Sequence, residues 1–199
     1  MCGSLVAILT VAACGVSSAD PSDRPGSTSP DSTAPPSTKV APDPADIDAL
    51  AVTDNTQRIR VNVPAAWAEI DGAPSGDAST LIASTDVVAF FTTFSTTGMF
   101  IETAAAEDGD SEYRVFHENS SDSYGEAGCE KLGTVDYDDG FYVGSESRFD
   151  CTPGKTTTLI SGTNASRDLV FNVGFLLDDD DTTTRQIIVD SFIVSLEPI

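Results

Sequence analysis

The sequence predicts an α+β fold for its last two-thirds, on three observations. Strict alternation marks strands at Ile59, Val61 and Val63, and again at Leu169, Phe171, Val173 and Phe175. Val87, Phe90, Phe91 and Phe94 stand at i, i+3, i+4 and i+7, the spacing of one helix face. Asp138-Asp139-Gly140 lies between two apolar arms, the signal of an antiparallel hairpin.

The chain begins outside that fold. Leu5 to Ala13 is an uncharged apolar run, shorter than the roughly 20 residues a membrane-crossing helix requires. Its length suits the h-region of an export signal, about 7–15 residues ending at small side chains. Val11-Ala12-Ala13-Cys14 resembles the lipobox of bacterial lipoproteins. The resemblance implies that Cys14 carries a diacylglyceryl group and opens the mature chain. Two acyl chains, at roughly 0.8 kcal/mol per buried methylene, hold where one is marginal. The opening Met1-Cys2-Gly3-Ser4 departs from the pattern by lacking Lys and Arg, which leaves open a true start upstream. Residues 1–13 thus read as a lipoprotein signal peptide.

Residues 14–54 read as a disordered tether. Between Gly15 and Asp46 the composition is Ser, Thr, Pro, Asp and Ala, with seven of the eleven prolines. Such a stretch buries too little apolar surface to offset chain entropy. As a flexible coil it spans roughly 30 Å. Residues 55–199 are the size of one domain with its own core.

Within that domain, the strand at Ile59–Val63 ends at Pro64, with Trp67, the only tryptophan, just beyond. Gly72, Pro74, Ser75 and Gly76 make a loop before a short strand around Leu81-Ile82-Ala83. The phenylalanine helix follows, capped by Thr85 or Asp86 and stopped before Gly98, its stripe packed on a sheet. Met99-Phe100-Ile101 reads as a strand. A helix from about Asp110 or Ser111 carries Tyr113, Phe116 and His117 on one side, though alternation also permits a strand there. In the hairpin, Cys129 lies ten residues before Asp139 and Cys151 twelve after. Closing the hairpin sets them almost opposite, near the 4.5–5.5 Å of facing residues, and in exported sequence the pair forms a disulfide. Thr157–Gly162 and Leu169–Leu177 are two more strands. Asp178 to Asp181 start the last helix, since carboxylates complement a helix N-terminus. The final residues finish that helix or add a closing strand.

Charge narrows the function. With 32 acidic against 10 basic residues, the net charge is -22. Nucleic-acid binding and polybasic contact with anionic lipid both rely on Lys and Arg, so neither is expected. The excess reads as a solubilising surface or, alternatively, one that collects cations.

Catalytic and metal-binding patterns are not found. One histidine limits any Ser-His-Asp arrangement to His117, and Gly144-Ser145-Glu146-Ser147 does not match a nucleophile elbow. Asp136-Tyr137-Asp138-Asp139-Gly140 lacks the register and the distal Glu of an EF-hand. The Asp178–Asp181 run reads as a helix cap. No catalytic residue, metal ligand or cofactor is therefore assigned.

Val61-Asn62-Val63-Pro64 with Trp67, the cysteine-flanked hairpin with Tyr142-Val143-Gly144, and Ile188-Val189-Asp190-Ser191-Phe192 resemble an actinobacterial extracytoplasmic domain. It occurs in LpqN-like lipoproteins and is similar to the PsbP-like family. The resemblance, over roughly residues 55–196, implies an antiparallel sheet flanked by helices, an α/β/α sandwich. It also implies a binding or accessory role with no active site. The expected function is therefore a binding or accessory module, lipid-anchored through Cys14 on the extracytoplasmic face of the cell membrane. Its partner is an extracytoplasmic protein or small ligand, and it takes no nucleic acid. The alternatives are a divergent cell-envelope hydrolase and a passive cell-wall spacer.

Overall fold

β-branched and aromatic segments joined by short turns fold back on one another, so every strand pair here is antiparallel. The structure is a computed structural model that describes residues 48–199. The residues read as a signal peptide, Cys14 and most of those read as a tether lie outside the described residues. Two strands, β1 (Ala49–Thr53) and β2 (Ile59–Pro64), open the fold. Next come β3 (Glu69–Asp71), β4 (Ser79–Ser84), α1 (Val87–Thr92), β5 (Gly98–Ala105) and α2 (Gly109–Glu126). Then β6 (Glu130–Asp138), β7 (Tyr142–Thr152), β8 (Lys155–Asn164) and β9 (Leu169–Asp178) form consecutive hairpins. The chain closes with α3 (Thr182–Ser191) and β10 (Ile193–Val194).

Seven strands make one sheet in the order β3-β4-β5-β9-β8-β7-β6, and β1-β2-β10 make a small second sheet. Side chains alternate across a strand, which gives the large sheet two unlike faces. Ile101, Ile160, Phe171, Val173 and Phe175 project into a core shared with Ile59, Val61 and Val63 of β2 and Ile188 of α3. Phe192, fully buried, stacks on Tyr142 at 5.4 Å, and the Tyr142 hydroxyl donates to the Val194 carbonyl while accepting from its N–H. Those contacts fasten the small sheet to the start of β7. The other face carries Ser147, Ser161 and Asn172, and there α2 docks largely through polar groups. Central β9 is buried on both faces from Leu169 to Leu177, and at Gly174 any side chain would meet the Phe100 ring.

The α+β class and its antiparallel sheet stand as expected, as do the strands around β2, β4, β5, β8 and β9. The flanking layers differ. Helix α2 covers one face, but the other is covered by α3 together with a second sheet. Residues 49–53, assigned to the tether, form β1. The reason is local: buried Asp54 accepts the N–H groups of Thr56, Arg58 and Ile59 and so fixes the β1–β2 turn.

The phenylalanine helix is shorter than expected. Asp86 caps α1 by accepting from Ala89 N–H, but the helix stops at Thr92. Thr92 and Thr93 hydroxyls bond back to the carbonyls of Val88 and Ala89, a habit that weakens helices. Phe94 then takes a left-handed backbone (φ 50°) and swings its ring to 6.1 Å from Tyr124 of α2. Phe90 is buried, whereas Phe91 is 46% exposed. Only part of the stripe is core. At the other end, Asp181 caps α3 by accepting from Thr184 N–H, and the last residues choose the closing strand.

Candidate functional site

The hairpin singled out by its turn and cysteines forms one border of the large sheet. β6 pairs with β7 and, among the described strands, with no other. The turn is built by its acids. Asp139 accepts the N–H groups of Phe141 and Tyr142 and the Tyr137 hydroxyl, Asp138 accepts Gly140 N–H, and Gly140 supplies the positive φ (83°) that closes it. Burial, and then the neighbouring Asp139 carboxylate, push the Tyr137 hydroxyl pKa well above the usual phenol range. Cys129 and Cys151 are bonded with Cα atoms 4.1 Å apart, one step beyond the Glu130–Asp150 pair. The hairpin is therefore tied at both ends.

Between those ties β6 lies open to solvent. Of its nine residues only Tyr137 is buried. Leu132 is 58% and Val135 62% exposed. The register slips between Lys131 and Gly133, a bulge that twists an edge and limits casual pairing. A groove of about 550 Å³ runs along this border, lined by Leu132, Gly133, Thr134, Val135, Glu146 and Arg148.

Two polar clusters stand behind the edge, one on each face. Arg185 Nη2 of α3 donates to both carboxylate oxygens of buried Glu146 at 2.9 and 2.7 Å, and Arg148 Nε donates to one at 3.1 Å. Two guanidinium groups on one buried carboxylate neutralise it and pin α3 to the sheet. On the opposite face a chain of hydroxyls leads inward. Thr134 Oγ1 lies 2.7 Å from Ser147 Oγ, Ser147 Oγ lies 2.8 Å from His117 Nε2, and His117 Nδ1 lies 2.9 Å from Ser161 Oγ. A neutral imidazole serves both serines, donating through one nitrogen and accepting through the other. Burial, with Lys131 second, lowers the His117 pKa to about 4. His117 thus sits within the hydrogen-bond network that joins α2 to β7 and β8, with hydroxyls rather than a carboxylate on both ring nitrogens.

The acidic clusters are engaged as structure. Asp178 pairs with Lys155, Asp179 accepts the Thr156 hydroxyl, and Asp181 caps α3. Arg185 and Ser161 were not singled out by sequence, and Glu146 and Ser147 entered that reading only within a tetrapeptide that does not match a nucleophile elbow. One signal existed: counting by twos from Tyr142 puts Glu146 and Arg148 on the core-facing side of β7, an unusual place for a charge.

Fold and border together define an α+β protein whose large sheet has, among the described residues, one long uncovered edge. No protein-family model matches the chain, and no curated protein sequence matches it. Among solved structures it is similar to a crystal structure from Bacteroides thetaiotaomicron at 1.50 Å resolution, with 11% identity and a TM-score of 0.45. The match covers 76% of this chain and 50% of that one.

Proposed function

We propose that this chain is a binding or accessory module, presented on the extracytoplasmic face of the cell membrane by a lipid on Cys14 and a tether. One observation carries the binding half of the reading. β6 offers a nine-residue open edge with exposed Leu132 and Val135. Unpaired strand edges are ready templates for an incoming strand, and proteins normally shorten or cover them. The opposite border of the same sheet, β3, is only three residues long. A passive spacer has no use for such an edge. A hydrolase gains nothing from His117 held between two serines.

The presentation half rests on Val11-Ala12-Ala13-Cys14 and the Ser/Pro-rich tract that follows. Its effect would be on local concentration, since a tether confines the module to a thin layer above the membrane. The likeness to LpqN-like and PsbP-like domains supports the same reading. Growth with radiolabelled palmitate should label the native chain and not Cys14→Ala, and protease added to intact protoplasts should remove the folded part. An unlabelled product, or one protected from protease, would refute the anchor.

A further inference from the structure

We infer that the β6 edge takes an extended polypeptide segment of a partner protein in which apolar and basic residues alternate. This rests on the reading of the chain as a binding module and names the class of segment it binds. The backbone edge supplies the affinity and the side chains on either face supply the selection, as in other cases of strand addition.

Register assigns the faces. Val135 lies opposite Glu146 and Tyr137 opposite Gly144, on the core-facing side of the sheet, and Val135 and Glu146 line the groove. Asp136 lies opposite Ser145 and Asp138 opposite Val143, on the side that carries α2. A strand laid along the free edge shares this alternation, because facing residues of paired strands point the same way. Its residue beside Val135 enters the groove, and the one beside Tyr137 lies over a buried ring, so both are best apolar. Those beside Asp136 and Asp138 meet exposed carboxylates and are best lysine or arginine. Asp136 and Asp138 stand two apart, so the incoming charges must alternate with the apolar residues. The net charge of -22 adds a long-range pull on a basic segment.

The same features argue against a second copy as occupant. Two chains of charge -22 repel. The antiparallel self-register that pairs all of β6 centres on Thr134 and sets Glu130 across from Asp138 at both ends, a destabilising like-charge pair.

The test uses the purified full chain and two capped peptides, Val-Lys-Val-Lys-Val-Lys-Val and the same sequence with Glu for Lys. Amide hydrogen exchange is read across residues 130–138. The lysine peptide should slow exchange in β6 at least tenfold while α2 and β9 stay unchanged, and the effect should weaken with salt. A variant with Asp136→Lys and Asp138→Asn keeps an acceptor for Gly140 N–H and so preserves the turn. It should bind the lysine peptide about tenfold more weakly, with near-ultraviolet circular dichroism unchanged. Val135→Lys should also weaken it. Equal protection by the glutamate peptide overturns the inference but leaves the edge as a binding site. Protection that rises with protein concentration and no peptide overturns it in favour of self-pairing. Failure of both peptides to slow β6 removes the support for the binding module itself.

Discussion

His117 is held out of water with a hydroxyl on each ring nitrogen, so adding a proton costs the network one acceptor and buries a charge. Its pKa falls from about 6.5 unfolded to about 4 folded, and the unfolded chain therefore binds more protons between those values. The stability contributed by the neutral ring is complete above the unfolded pKa and declines as pH drops toward the folded one. Between pH 7 and pH 5 the loss should be about 2 kcal/mol, seen as a lower urea midpoint. His117→Gln should remove most of that slope. Glu102, whose carboxyl burial raises above its usual range, acts with the opposite sign, its stabilisation fading as pH rises. A second prediction concerns Asp54. Asp54→Ala strips an acceptor from three backbone N–H groups at the β1–β2 turn and should cost about 3 kcal/mol, with exchange rising first in β1. Asp54 was hard to recognise in the sequence. It follows a stretch rich in Asp, Ala and Thr like the tether, in which Leu50 and Val52 are too few apolar residues to announce a strand. Its hydrogen bonds are what distinguish it.

Among the elements, β6 is held by one neighbouring strand and one disulfide. Closing a loop across 22 residues stabilises by about 3 kcal/mol in the chain-entropy account. Replacing Cys129 and Cys151 by serine should lower stability by that order and let β6 exchange before β8 or β9. An unchanged midpoint would show that the hairpin turn alone sets the register. The hairpin was fully legible because its signals are local: an Asp-Asp-Gly turn and two cysteines at nearly equal distance from it. α1 was legible only at its start. Asp86 announces the cap, but the stop depends on hydroxyls of Thr92 and Thr93 competing for backbone carbonyls, which apolar periodicity does not register. α2 was ambiguous for the opposite reason. Its buried side is Tyr113, His117 and Ser121, so the face that docks is largely polar and the usual stripe is faint.

For the whole molecule, the acidic excess and the open edge work together. Self-repulsion keeps copies apart and spares the edge from pairing with itself, at some cost to the folded state. Added salt screens that repulsion. Raising sodium chloride from low concentration to 1 M should therefore lift Tm by a few degrees, while a flat response would mean that the charges are too well solvated to matter. The antiparallel sheet was legible from alternation, but the three-stranded sheet was not. Its members are β1, β2 and β10, drawn from the two ends of the fold, and one of them is two residues long. No local pattern records such a long-range pairing. The open edge has the same character, because being last in a sheet is a property of topology rather than of composition.

The proposed lipid anchor and the open β6 edge together predict that β6 is occupied by a partner on the membrane. Hydrogen exchange of residues 130–138, measured by mass spectrometry on native membranes and on the detergent-purified chain, tests it most directly. Exchange of β6 should be slow in the membranes and fast once the chain is purified, with β9 slow in both. Equally fast exchange of β6 in the two preparations would show that nothing occupies the edge.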